Sequence, residues 1–269
     1  MSGSTQASST CFNCGTALTG LFCPHCGQKS LPLHPRIADF LHELVHETLH
    51  VDGKIFSSFS KLLRNPGFLT REYFEGRRAR WVSPIRLYLI FSVLYFAIAS
   101  YSPPGELRAT VKADSAQEEA AALQTIGFSS EAELREAVNH TYAKWAPRVM
   151  FVLVPWFAWL VGATMKSAGR SYLEHLFFAL HVHAAWFAIG ALGLAIGVLL
   201  PPTVGKAISF AVTIYASVYF LFALSRAYDR PMRNALSRVA IVLPIYGITI
   251  LLAISGLIFV LLLGRGWTP

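Results

Sequence analysis

Apolar residues are unevenly spread along this chain. Residues 1–82 mix apolar and polar positions, whereas 148–263 is apolar almost throughout, with short polar breaks. Five stretches, 83–101, 148–165, 173–200, 206–224 and 239–263, each offer the roughly 20 apolar residues a helix needs to cross a hydrocarbon core. The pattern predicts an all-α polytopic membrane protein with about five transmembrane helices.

Upstream of the first span, 36–82 carries shorter periodic stripes. Ile37, Phe40, Leu41, Leu44, Val45 and Leu49 recur at helical spacing, and Asp52-Gly53 ends the run. A second stripe holds Ile55, Phe56, Phe59, Leu62 and Leu63, and Asn65-Pro66-Gly67 turns the chain after it. A short segment with Phe68, Leu69, Tyr73 and Phe74 then leads into Gly76-Arg77-Arg78-Ala79-Arg80-Trp81. Neither helix is long or apolar enough to span. They are expected either to lie in the interface plane as a juxtamembrane collar or to pack on each other or on the bundle.

Composition fits the membrane assignment. Apolar residues make up 54% of the 269 positions and charged residues 14%, against about one quarter charged in a soluble domain. The formal charge is +8 and the pI about 9.5, but the basic residues cluster beside apolar spans, so topology accounts for them better than nucleic acid does. The opening residues, MSGSTQASST, read as a disordered leader (1–10) without the basic and apolar regions of a signal peptide. A cytoplasmic N-terminus then puts sixteen of the 23 basic residues inside and seven outside, and the C-terminus outside. The outside loop, 102–147, is acidic. Ser115–Glu118 and Ser130–Glu133 fit capping boxes, so a helical hairpin is expected there.

All four cysteines lie between 11 and 27. Cys11-Phe12-Asn13-Cys14-Gly15 and Cys23-Pro24-His25-Cys26-Gly27 are two C-x-x-C-G knuckles, and two intervening residues let both thiolates of a knuckle reach one tetrahedral ion. Disulfides and a redox pair are the alternatives. A cytoplasmic location disfavours stable disulfides, and a lone redox motif would not come doubled. Cys11, Cys14, Cys23 and Cys26 are therefore expected to hold structural zinc in a ribbon over 11–27, with the metal supplying its folding energy. Residues 28–35 form a linker. The ribbon lacks a basic-aromatic face for nucleic acid. It is expected to dock a cytoplasmic protein partner or the inner face of the bundle.

Two further constellations carry chemistry. His42-Glu43-Leu44-Val45-His46 matches the H-E-x-x-H pattern of zinc proteases, but Glu47 puts a charge in that helix and His50 is too close to be the usual third ligand. His42, His46 and His50 also form the polar stripe of an amphipathic helix, a weak second metal candidate. In the third span, Glu174, His175 and His181 are ionisable groups at membrane depth. Glu174 and His181 are two helical turns apart on one face. They make a proton relay, a metal site or a polar lock between helices; alternatively Glu174 and His175 sit at headgroup level and His181 bonds a neighbouring helix.

The C-x-x-C-G pair, Val51-Asp52-Gly53-Lys54, Leu62–Gly67, Glu72–Arg78 and Ser83–Tyr88, with Glu174-His175-Leu176 and Phe178–His181, resemble the bacterial membrane family of domain of unknown function 3667. The resemblance implies a bacterial inner-membrane protein and no particular activity. Read together, the residues point to a non-enzymatic adaptor or regulator, with Arg77, Arg78 and Arg80 anchoring lipid phosphates. A proton-linked transporter using Glu174 and His181 is the alternative, and an H-E-x-x-H membrane protease the third.

Overall fold

A computed structural model describes residues 10–30, 54–101 and 115–266. The 36–49 stripe, with His42, His46 and His50, lies outside the described residues. Eight α-helices are described: α1 (Lys54–Arg64), α2 (Phe68–Phe74), α3 (Pro84–Tyr101), α4 (Ala116–Thr125), α5 (Glu131–Thr164), α6 (Tyr172–Val198), α7 (Pro202–Ala227) and α8 (Met232–Gly266). There is no strand among the described residues, only two isolated bridges in the cysteine segment.

The sequence sets these helix starts. Pro84 and Pro202 open α3 and α7 at the first helical position, where a missing N–H costs nothing. Ser115 Oγ accepts the Glu118 N–H at 3.2 Å, and Ser130 Oγ the Glu133 N–H at 3.3 Å, so both expected capping residues open helices. α5 then runs unbroken through the polar-to-apolar border at 148.

Helices α5 to α8 are long and apolar enough to cross a membrane, and α3 is apolar but shorter. The most apolar stretch of α8 is left entirely outside the core, which suits a helix whose neighbour is lipid.

The chain divides into two compact units: Met1–Ile90 with Val154–Trp186 and Ala216–Val242, and Phe91–Leu153 with Phe187–Tyr215 and Leu243–Pro269. Helices α3, α5, α6, α7 and α8 each pass from one unit into the other. In the second unit, Leu123, Phe128, Leu134 and Val138 of the acidic segment bury together against Leu261 and Leu262. The Tyr95 and Phe187 rings meet at a tilt of 40°, their centroids 5.2 Å apart.

The first unit buries Phe157, Phe178, Phe220 and Leu224 of the long helices together with Leu62, Leu69 and Phe74 of α1 and α2. The α1–α2 hairpin is thus packed onto helices. The Tyr219 hydroxyl donates to the Leu62 carbonyl at 2.8 Å, and Arg226 reaches the Pro66 carbonyl at 3.2 Å. Gly67 closes the turn at φ 76°, a left-handed conformation that glycine adopts freely. A Cβ there would also collide with the Ala223 carbonyl oxygen and lie 2.9 Å from its Cα. The position is restricted twice over.

Candidate metal centre

The two knuckles are built alike. Cys11 N–H donates to Thr16 O at 2.9 Å and Gly15 N–H to Cys11 O at 2.8 Å. Cys23 N–H donates to Gln28 O at 2.9 Å and Gly27 N–H to Cys23 O at 2.9 Å. Gly15 and Gly27 end these turns at φ 77° and 70°.

These turns bring the four sulfurs into one cluster, all within 4.8 Å of one another. Cys11 Sγ lies 3.6 Å from Cys26 Sγ, and Cys14 Sγ 3.5 Å from Cys23 Sγ. A tetrahedral ion about 2.3 Å from each sulfur sets them roughly 3.8 Å apart, so the donor set fits a tetrahedral metal. All four cysteines are free. Burial pushes the Cys11 thiol up to about 11, whereas hydrogen bonds from the Thr16 side chain and backbone hold Cys14 down to about 5. Burial also pushes Cys26 up, but the Gln28 backbone and the Asn13 side chain outweigh it and leave it below its ordinary value.

The Gln28 side chain fastens the cluster to the loop at 76–79. Gln28 Nε2 donates to the Gly76 carbonyl at 2.8 Å, and Gln28 Oε1 accepts the N–H groups of Arg78 and Ala79, each at 3.0 Å. Gln28 follows Gly27 directly, so the second knuckle aims it. Its only signal in the sequence was its place beside a knuckle.

The docking loop is itself cross-braced. Glu72, 8% exposed, accepts from Arg77 Nε at 2.9 Å and from Trp81 Nε1 at 3.1 Å. Arg77 also pairs with Glu75, which Arg71 holds at 2.9 Å. The Glu72 hydrogen bond raises the Arg77 guanidinium further above its ordinary value. Arg78 lies over the Tyr73 ring at 5.9 Å, and Arg80 is exposed. Of the three arginines expected to anchor phosphates, Arg77 has protein carboxylates as its partners and Arg80 faces outward.

The polar residues of α6 part company. Glu174, 2% exposed, accepts from Arg170 at 2.7 Å and from Ser171 N–H and Oγ at 2.8 and 3.0 Å. Ser171-x-x-Glu174 is thus a capping box at the start of α6, and Arg170 also lies 4.5 Å over the Phe74 ring. His175 Nδ1 is 2.7 Å from the Tyr228 hydroxyl. His181 Nδ1 is 3.1 Å from Thr70 Oγ1, its ring 5.5 Å from that of Tyr73. His181 Nε2 is buried and has no hydrogen-bond partner among the described residues. Thr70 and Tyr228 are partners that sequence reading missed, because their contacts join segments with no shared periodicity, whereas Arg170, four residues before Glu174, was within reach of a local reading.

These features define a helical chain of membrane type with a four-cysteine cluster suited to a metal ion. Residues 52–96, which hold the hairpin, the docking loop and the start of α3, match the family model described as Protein of unknown function (DUF3667). No curated protein and no solved structure matches the chain.

Proposed function

We propose that this is a five-span bacterial inner-membrane protein with a cytoplasmic N-terminus and an extracytoplasmic C-terminus, acting as a non-enzymatic adaptor or regulator. Cys11, Cys14, Cys23 and Cys26 hold structural zinc, and the ribbon is clamped onto its own membrane collar. The triple hydrogen bond of Gln28 to Gly76, Arg78 and Ala79 carries this reading. Four thiolates leave no open position at which an ion would activate water, so the metal serves to shape the knuckle that presents Gln28. α3, an apolar helix of 18 residues, supports the fifth span.

Metal analysis of the purified chain tests the reading. One zinc per chain is expected, lost in Cys26→Ser while membrane insertion persists. Equal metal content in variant and parent overturns it.

The unpartnered Nε2 of His181 favours a second reading, a proton-linked transporter in which His181 rather than the salt-bridged Glu174 handles the proton. Unchanged proton flux in vesicles carrying His181→Ala would remove it.

A further inference from the structure

The second knuckle carries two large apolar side chains on its surface. Leu21 is 73% exposed and Phe22 60%. Phe22 pairs with Lys29 across a bridge, and the Ser30 N–H donates to the Leu21 carbonyl at 2.7 Å. These bonds fix the apolar pair beside Lys29, which is exposed.

The Gln28 clamp decides where this edge sits. Its contacts end at Ala79, the next residue is the exposed Arg80, and α3 begins at Pro84. Five residues of chain span at most about 17 Å, so the knuckle is held close to where the chain enters its first apolar helix. Arginine and tryptophan at that boundary, here Arg80 and Trp81, mark the headgroup layer. Two large apolar groups with a cation beside them, on a knuckle clamped to the loop that leads into Arg80, match an anionic bilayer surface: the apolar groups enter the acyl boundary and the cations meet phosphate.

We propose that Leu21 and Phe22, with Lys29 beside them and Arg80 on the clamped loop, form a lipid-binding edge that places the ribbon in the anionic headgroup layer of the cytoplasmic leaflet. This rests on the clamped-ribbon reading. Zinc, by shaping the knuckle, then orders a surface that reads lipid charge.

The test uses the full zinc-loaded chain with a photo-reactive amino acid at position 22, in nanodiscs containing phosphatidylglycerol or phosphatidylcholine alone. Irradiation is expected to give lipid adducts, with higher yield in the anionic discs. Lys29→Gln and Arg80→Gln should each weaken the anionic contact about fivefold, the value of one juxtamembrane cation. Equal yields in the two bilayers, adducts to protein, or no lipid adduct would overturn the proposal. Hydrogen exchange at the Arg78 and Ala79 amides in the same samples shows whether the ribbon is docked. Protected amides without lipid adducts refute the lipid edge alone, and unprotected amides refute the clamp beneath it.

Discussion

Thr70 Oγ1 and His181 Nδ1 stand 3.1 Å apart, although 111 residues separate them in sequence. One belongs to a seven-residue helix ahead of α3, the other to the interior of α6. At 1.5 Å per residue, His181 lies roughly 14 Å along α6 from its start, so the hairpin reaches well along the long helices. Thr70→Val keeps the volume and removes the hydroxyl. It should lower stability by about 1–3 kcal/mol, the cost of stranding a buried polar group, while Thr70→Ser stays within about 1 kcal/mol. Thermal unfolding in detergent reads the difference.

The turn beneath that contact is less forgiving. Gly67→Ala meets both the left-handed backbone and the Ala223 main chain. Backbone strain contributes about 1–2 kcal/mol, and overpacking about 1–3 kcal/mol more. Ala223→Gly in the same chain should give no rescue, since the carbonyl that obstructs is main chain. Recovery of the parent melting temperature in the double variant would contradict the geometry.

Metal and clamp can be separated. Gln28→Ala should keep the metal proposed for the cluster and lose exchange protection at the Arg78 and Ala79 amides, whose acceptor is Gln28 Oε1. Cys26→Ser should lose both. Exchange mass spectrometry beside metal analysis distinguishes them, and a Gln28→Ala chain with protected amides would refute the clamp.

The brace of the docking loop has an acid limit. Burial pushes the Glu75 carboxyl up, but hydrogen bonds from Arg71 and Arg77 outweigh it and hold the group below its ordinary 4.5. A depressed folded value means that the stabilisation is fully present above about 4.5 and is lost as pH falls through the folded value. The loop should therefore loosen on acidification below that point, and Glu75→Gln should blunt this acid response. The effect is small because Glu75 is about one third exposed. Protease sensitivity of residues 71–81 as a function of pH follows it.

Much of the frame was legible because its causes are local. The long apolar runs mark the spans, Ser115 and Ser130 mark helix starts by their own side chains, and the C-x-x-C-G spacing already contains the knuckle. Contacts between distant segments left no such trace. Phe56 belongs to the apolar stripe of α1 yet is 80% exposed, while Ser58 is fully buried and accepts the Val82 N–H at 3.0 Å. Periodicity assigns a face to a helix but does not say which groups a neighbouring turn will need. Gln28 reads as linker because its partners lie 48 to 51 residues further on. The ion pairs of Arg77 depend on a turn that brings 72 and 77 together, which no charge count reveals.

Glu174 and His181 differ in when their partners become available. Arg170 and Ser171 stand within one turn of Glu174, so the carboxylate is neutralised by its own segment as soon as α6 forms. The pair needs no other segment of the fold to be in place. His181 shares a hydrogen bond with Thr70 only after the α1–α2 hairpin has seated. The two polar contacts thus depend on different parts of the chain, and a substitution at Thr70 should leave the Glu174 pair intact.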